Sequence, residues 1–195
     1  MIRANDHEDV ERFARVSTVP VINGLTDRSH PCQILADLMT IEEHRGPIAG
    51  KTLAWTGDGN NVLHSLVEGA ARFGYRMNMA VPLGSEPDDK ILNWARNNGG
   101  EILLCHDADR AVAGADAVIT DTWVSMNQEH KARGHNVFQP FQVNAELMKK
   151  ANDEALFLHC LPAHRGEEVT DEVIDGVQSV VFDEAENRLH AQKSI

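Results

Sequence analysis

Three clusters of polar residues follow apolar runs of the sequence, where their side chains could bind a small polar ligand. Asp121 offers a carboxylate for a substrate ammonium group, and Ser125 lies four residues further on and could add a hydroxyl. The alternative is that Asp121 only caps a turn or a helix. Cys160 is either a thiol presented to a ligand at the end of a strand or an inert core cysteine. The clusters are Gly57–Asn61, Asp121–Met126 and His159–Pro162.

A fourth cluster, Ser29–Gln33, lies at a predicted helix start with Pro31 at the first helical position. Free N–H groups and the positive end of the helix dipole favour an anion or a carbonyl oxygen there. His30 and Gln33 add side-chain donors about one turn apart. The alternative is an ordinary capped helix that binds nothing.

The turn Gly57-x-Gly59 invites comparison with a dinucleotide-binding fingerprint, but the rest of that pattern is missing. Val62 stands where the third glycine belongs, and the second strand ends in Val81-Pro82 without the acidic residue that binds a ribose hydroxyl. Asn60 or Asn61 therefore either caps the following helix or offers its amide to a small ligand. No nucleotide cofactor is expected.

His159 and Cys160 are neighbours in sequence, which raises the question of a nucleophilic pair or a metal site. Adjacent residues of a strand point to opposite faces, so the two side chains should not meet. His164 follows five residues after His159, and this spacing is weak evidence for a zinc site. We expect no metal here.

Strands and helices alternate along most of the chain, which predicts a doubly wound α/β fold with a parallel sheet. In the common strand order 3-2-1-4-5, the first, fourth and fifth strands are neighbours. The three polar clusters would then line one crevice beyond the carboxyl ends of the strands. The predicted strands are 52–56, 76–81, 101–105, 117–120, 156–159 and 179–182, with helices over 62–73 and 88–97 that end near Gly74 and Gly99.

The region before the first strand of this sheet has a different pattern. It predicts a helix over 6–16, a short strand over 19–22 and a helix over 31–44, followed by a hinge at 46–50. Residues 184–195 read as a helix without a C-terminal cap. These flanking segments are either peripheral additions or parts of a larger two-domain protein.

Composition narrows the class of protein further. The 195 residues carry a formal net charge of -12, which disfavours nucleic acid and anionic membrane surfaces as main partners. No apolar run approaches the length of a membrane span, and the polar N-terminus predicts no secretory signal. Three cysteines without C-x-x-C spacing are typical of reduced thiols in a cytoplasmic protein.

Five motifs, taken together, resemble those of the ornithine carbamoyltransferase family, in the same order and at similar spacing. The resemblance covers nearly the whole chain, and its third and fourth motifs favour ornithine over aspartate as the amino-acid substrate. The motifs are His30-Pro31-Cys32-Gln33, Trp55–Asn61, Asp121-Thr122-Trp123-Val124-Ser125-Met126, His159-Cys160-Leu161-Pro162 and Glu186-Asn187-Arg188.

The resemblance implies transfer of a carbamoyl group from carbamoyl phosphate to the side-chain amine of L-ornithine, giving L-citrulline and phosphate in arginine metabolism. It implies a Rossmann-like ornithine-binding domain and no cofactor. Ornithine would contact Asn61, Asp121, Ser125 and Met126. Cys160 would lie at the reacting centre without acting as a nucleophile. Carbamoyl phosphate would contact His30, Pro31, Cys32, Gln33, Cys160, Leu161 and Arg188.

The resemblance also predicts the domain organisation and points to differences from the family. Residues 1–30 would be the end of a carbamoyl phosphate-binding domain, 31–46 a linking helix, 47–183 the ornithine-binding domain and 184–195 a shortened C-terminal helix. The family's Ser-Thr-Arg-Thr phosphate-binding motif does not occur, and Asn127 stands where the family usually has Gly. The absent motif belongs to the domain that forms the family's homotrimer, so a non-catalytic amino-acid-binding fragment is the alternative function.

Overall fold

A five-stranded parallel sheet forms the centre of the fold. In the computed structural model, which describes residues 1–123 and 137–195, the strands are ordered β5-β4-β3-β6-β7. This is the predicted order 3-2-1-4-5, so the doubly wound α/β fold is confirmed. The strands are β3 (Thr52–Thr56), β4 (Arg76–Ala80), β5 (Glu101–Cys105), β6 (Ala117–Thr120) and β7 (Leu156–His159). A separate parallel pair joins β1 (Ile2–Arg3) to β2 (Asn23–Leu25).

Helices cover both faces of the sheet and bury its side chains in two cores. Leu53 and Trp55 of β3 belong to the core beneath α2, α3 and α4, whereas Ala54 belongs to the core beneath α5, α6 and α7. This alternation follows from the two-residue period of a strand. The helices are α1 (His7–Val16), α2 (Pro31–Arg45), α3 (Asn61–Phe73), α4 (Asp89–Asn97), α5 (Ala108–Val112), α6 (Ala145–Met148), α7 (Asp171–Ile174) and α8 (Val181–Ser194).

Capping residues set the ends of the helices that were predicted. Asp6 and Asp88 accept backbone N–H groups at the starts of α1 and α4. Asn60 caps α3 by accepting from the N–H groups of Val62 and Leu63. Gly74 ends α3 in the left-handed conformation, at a φ of 72°, which glycine adopts without a steric penalty.

Two predicted strands were wrong. Residues 19–22 precede the strand, which covers Asn23–Leu25; Pro20 lacks an N–H for a ladder, and pairing begins only where the Ile22 carbonyl accepts from Ile2. Residues 179–182 form no strand, since Ser179 makes only an isolated bridge to Phe157 and α8 already begins at Val181.

Helices α2 and α8 pack against each other beside the sheet, so segments far apart in the sequence become neighbours. The Asn187 amide on α8 donates to Thr40 Oγ1 on α2 at 3.0 Å, and α8 also packs against β7. Across the described ranges, no helix combines the length and the apolar character that crossing a bilayer requires.

Candidate active site

Asp121 and Cys160 meet beyond the carboxyl ends of the neighbouring strands β6 and β7. The Cys160 thiol donates to Asp121 Oδ1 at 3.1 Å, and the Asn60 amide donates to Asp121 Oδ2 at 2.7 Å. The Thr122 N–H donates to Oδ1 at 2.7 Å. The Thr122 hydroxyl lies 3.5 Å from Oδ1, so Oδ1 has three donors, whereas Oδ2 has only the Asn60 amide among the described residues. A carboxylate oxygen has about two acceptor positions, so Oδ2 retains room for one further donor, such as an ammonium group.

Burial raises the pKa of the Cys160 thiol well above its usual range, and the negative charge of Asp121 raises it further. The thiol is therefore protonated at neutral pH. This agrees with the prediction that Cys160 does not act as a nucleophile, because the nucleophilic form of cysteine is the thiolate.

Asn61 is directed away from Asp121 and toward the segment that precedes α2. Its amide donates to the Thr26 carbonyl at 2.7 Å. In the same region, the His64 ring bonds to the Arg28 carbonyl at 2.9 Å, and Ser65 Oγ accepts from the His30 N–H at 2.8 Å. The first turns of α3 thus hold residues 26–30 in place, and Asn60, rather than Asn61, supplies the amide beside Asp121.

The N-terminal end of α2 carries a neutral histidine. Burial lowers the pKa of His30 to about 3, with the charges of Arg188 and Arg3 as further causes. Its buried Nδ1 has no hydrogen-bond partner among residues 1–123 and 137–195, so within that part of the chain it is open to a polar ligand. Pro31 occupies the first turn, and Cys32 is buried with its thiol donating to the Asn23 carbonyl at 3.3 Å.

Gln33 and Arg188 join α2 to α8 at the same end of the sheet. The Arg188 guanidinium donates to Gln33 Oε1 at 2.5 Å, and the Gln33 amide donates to Glu184 Oε1 at 2.8 Å. These contacts bring together residues from the first and last of the five motifs.

The turn after β7 is held by a buried histidine. His159 Nε2 donates to Glu168 Oε1 at 3.1 Å, and His159 Nδ1 accepts from the Leu161 N–H at 3.0 Å. Both ring nitrogens therefore have partners in this arrangement. The expectation that the His159 and Cys160 side chains would not meet was wrong, because β7 ends at His159 and Cys160 already lies in the turn. One side-chain ligand atom each of Asp121, His159 and Cys160 lies within 4.8 Å of the other two. Leu161 has a φ of 53°, a conformation that is unfavourable for a branched residue and common at functional sites.

Several residues of this region were not predicted from the sequence. Glu184, Asp37 and Ser65 are buried polar residues. Glu184 and Ser65 have partners far along the chain, Gln33 and His30, whereas Asp37 accepts from Gln33 one turn away on the same helix. Asp37 carries a signal that could have revealed it, since it lies at helical spacing among Ile34, Leu38 and Ile41 on the apolar face of α2. The predicted residues Ser125 and Met126, together with Asn127, lie outside the described residues.

The fold and this site define a class of protein: an open doubly wound sheet whose polar site lies at the switch point of the strand order. Comparison with known families identifies the class more closely. The Asp/Orn binding domain of aspartate/ornithine carbamoyltransferase matches residues 49–195, and the carbamoyl-P binding domain of the same family matches residues 1–43. The chain belongs to the aspartate/ornithine carbamoyltransferase family.

Individual relatives are similar over the whole chain. It is 80% identical over 195 residues to the ornithine carbamoyltransferase of Rhizobium johnstonii and 78% identical to that of Agrobacterium fabrum. The ornithine carbamoyltransferase of Pyrococcus furiosus superposes with a TM-score of 0.92 at 54% identity, over 98% of this chain and 63% of that chain. The chain spans 64% of the length of these two curated relatives.

Proposed function

We propose that this chain forms the ornithine-binding part of an ornithine carbamoyltransferase. The observation that carries the proposal is the bond between Cys160 and Asp121 at the ends of adjacent strands, which places a carboxylate and a protonated thiol side by side. Asp121 binds the α-ammonium group of ornithine. Asn61, Ser125 and the Met126 backbone belong to the same subsite, and the Asn61 amide nitrogen also holds the segment that leads into α2.

The reaction is attack of the neutral side-chain amine on the carbamoyl carbon, with expulsion of phosphate. His30 stays neutral and contacts the carbamoyl group through its ring, and Gln33 contacts the same group. Arg188 stabilises negative charge on the phosphate side, and Cys160 and Leu161 line the position of the attacking amine. Positioning both reactants and stabilising charge are sufficient for this chemistry, and no covalent intermediate is needed.

The finer assignments depend on the same proposal. Residues 1–30 would end a carbamoyl phosphate-binding domain, 31–46 would link it to the ornithine-binding domain at 47–183, and 184–195 would be a shortened C-terminal helix. The family resemblance supports a cytoplasmic location and a homotrimer for the family, although this chain includes little of the domain that forms the trimer. A non-catalytic amino-acid-binding fragment is the alternative, motivated by the 64% coverage of the relatives.

Calorimetric titration of the purified chain with L-ornithine tests the proposal, with L-aspartate as the matched ligand of opposite side-chain charge. We expect saturable binding of L-ornithine and none of L-aspartate. Adding carbamoyl phosphate should tighten ornithine binding, since the two ligands occupy neighbouring subsites. Equal affinity for both amino acids, or binding of neither, would refute the proposed substrate.

A further inference from the structure

Glu184 is a buried carboxyl that binds two separate parts of the site. It lies in the first turns of α8 with 1% of its surface exposed. Its Oε2 accepts from the backbone N–H of His159 at 2.9 Å, and its Oε1 accepts from the Gln33 amide at 2.8 Å. One donor lies directly before Cys160 and the other lies in the first turn of α2. A single side chain therefore connects the end of β7 with the start of α2.

Asp37 completes the arrangement around the Gln33 amide. The Gln33 Nε2 group also donates to Asp37 Oδ1 at 2.8 Å, one turn further along α2. With its NH₂ group shared between two carboxyls, Gln33 must turn its oxygen toward Arg188, which donates to it at 2.5 Å. The two carboxyls thus fix the orientation of the Gln33 amide, so that its oxygen and not its nitrogen meets the Arg188 guanidinium.

The two carboxyls do not both carry a charge at neutral pH. Burial raises the pKa of Asp37 to about 6. Burial also raises the pKa of Glu184 well above its usual range, and the charge of Asp37 raises it further. Arg188 lowers the pKa of Asp37, whereas Asp121 raises it. Because like charges in a buried site are costly, Asp37 carries the negative charge and Glu184 holds a proton.

We propose that Glu184, together with Asp37, is a positioning residue that holds Gln33 and the His159–Cys160 strand end in one fixed arrangement. It touches neither substrate. The identity of the two subsites rests on the proposed function: Gln33 belongs to the carbamoyl side and Cys160 to the amine side. Glu184 fixes the position of Gln33 relative to Cys160. This position matters because small misplacements of two reactants lower the reaction rate by large factors.

The reactivity of Cys160 reports on this arrangement without any substrate. We would measure alkylation of Cys160 by iodoacetamide between about pH 6.5 and 9, followed by peptide mapping, in the 195-residue chain. Glu184→Ala should alkylate at least about tenfold faster than the unmodified chain, because the anchor of the His159 N–H is lost. The matched control is Glu186→Gln, an exposed glutamate on the same helix that pairs with His190, and it should change nothing.

Two further variants separate positioning from charge. Glu184→Gln keeps one acceptor oxygen but places an NH₂ group, which cannot accept, against either the Gln33 amide or the His159 N–H. It should accelerate alkylation by less than Glu184→Ala and leave the pH profile unshifted. Asp37→Asn removes the charge near the thiol and should alkylate several-fold faster, with its pH profile shifted to lower pH. These two variants decide the question even if Glu184→Ala does not fold.

The outcomes are distinct from those that test the proposed function. Equal rates for Glu184→Ala and Glu186→Gln would overturn the positioning role. A pH profile shifted as far by Glu184→Gln as by Asp37→Asn would overturn the assignment of one charge to the pair. If the unmodified chain binds no ornithine but the variants alkylate as expected, the proposed function is refuted and the positioning role of Glu184 is supported. If both hold, Glu184→Ala should also weaken ornithine binding at least about tenfold.

Discussion

The Cys160 thiol donates a hydrogen bond to the Asp121 carboxylate at 3.1 Å, across the ends of two adjacent parallel strands. This contact pairs a protonated sulfur with an anionic oxygen in a partly buried position. It makes the site attractive to a cation and unreactive toward electrophiles. The proposed binding of ornithine without a covalent bond depends on this contact.

The first prediction concerns the charge of Asp121. Asp121→Asn should weaken L-ornithine binding by about 1.5 to 3 kcal/mol, the typical contribution of a hydrogen bond to a charged group. It should also lower the free energy of unfolding by about 1 to 3 kcal/mol, because Asn60 and Thr122 lose a charged acceptor. Calorimetry and urea unfolding measure the two effects, with the exposed Asp153→Asn as control. A loss of stability without a loss of affinity would make Asp121 a purely structural residue.

The second prediction concerns the amide beside Asp121. Asn60→Asp keeps the cap of α3 but replaces a donor at 2.7 Å from Asp121 with a second carboxylate. Repulsion between the two should destabilise the fold at neutral pH, and protonation should restore stability as the pH falls toward about 5. Asn144→Asp is the matched control, since Asn144 caps α6 in the same way. Parallel pH–stability curves for the two variants would contradict this account.

The third prediction is that two buried groups, Asp37 and His30, change the free energy of unfolding with pH in opposite directions. The pKa of Asp37 is raised from 3.8 to about 6, so its contribution to stability is present below 3.8 and is lost as the pH rises through 6; it amounts to about 3 kcal/mol. The pKa of His30 is lowered from 6.5 to about 3, so its contribution is present above 6.5 and is lost as the pH falls toward 3.

Urea unfolding between about pH 4 and 7 tests both signs. Relative to the unmodified chain, Asp37→Asn should gain stability toward neutral pH, and His30→Gln should lose less stability toward acid. His190→Gln, at an exposed position of α8, should leave the curve unchanged. If both variants changed the slope of unfolding free energy against pH in the same direction, one of the two predicted directions would be wrong.

The fourth prediction is that the 195-residue chain alone forms citrulline slowly. Its sequence does not include the Ser-Thr-Arg-Thr motif that the resemblance assigns to phosphate binding. Holding both reactants together contributes up to about 7 to 11 kcal/mol in reactions of this kind. A colorimetric citrulline assay would show the rate, and adding the part of the Rhizobium johnstonii relative that lies outside the match should raise it. Rapid turnover by the chain alone would contradict the prediction.

The sheet was predictable because its signals are local. The strands β3 to β7 are short apolar runs that end in polar residues, and capping residues such as Asn60 and Gly74 mark where helices begin and end. The same reasoning failed at 179–182, whose apolar pattern is typical of a strand. Val180 and Val181 are buried there because they start α8, not because they belong to a strand. Helices α5, α6 and α7 have four or five residues each, too few to show a helical period.

The hydrogen bonds of the site were less predictable, since they depend on partners far apart in sequence. Local pattern placed Asp121 and Cys160 at adjacent strand ends, and the structure shows the bond between them. It gave no reason to expect that Gln33 would bind Glu184, because that contact needs the packing of α2 on α8. A buried glutamate on a mostly polar helix has no distinguishing mark in a single sequence.

The contact between Gln33 and Glu184 spans 151 residues of chain, and that between Arg188 and Gln33 spans 155. Contacts of such separation form late in folding, because the entropy of closing the intervening loop must be overcome first. On a ribosome, the segments that carry His30, Asp121 and Cys160 emerge before α8. Gln33 and Arg188 reach their observed positions only when α8 is docked on α2, so under the proposed function the site would hold no ligand before that step.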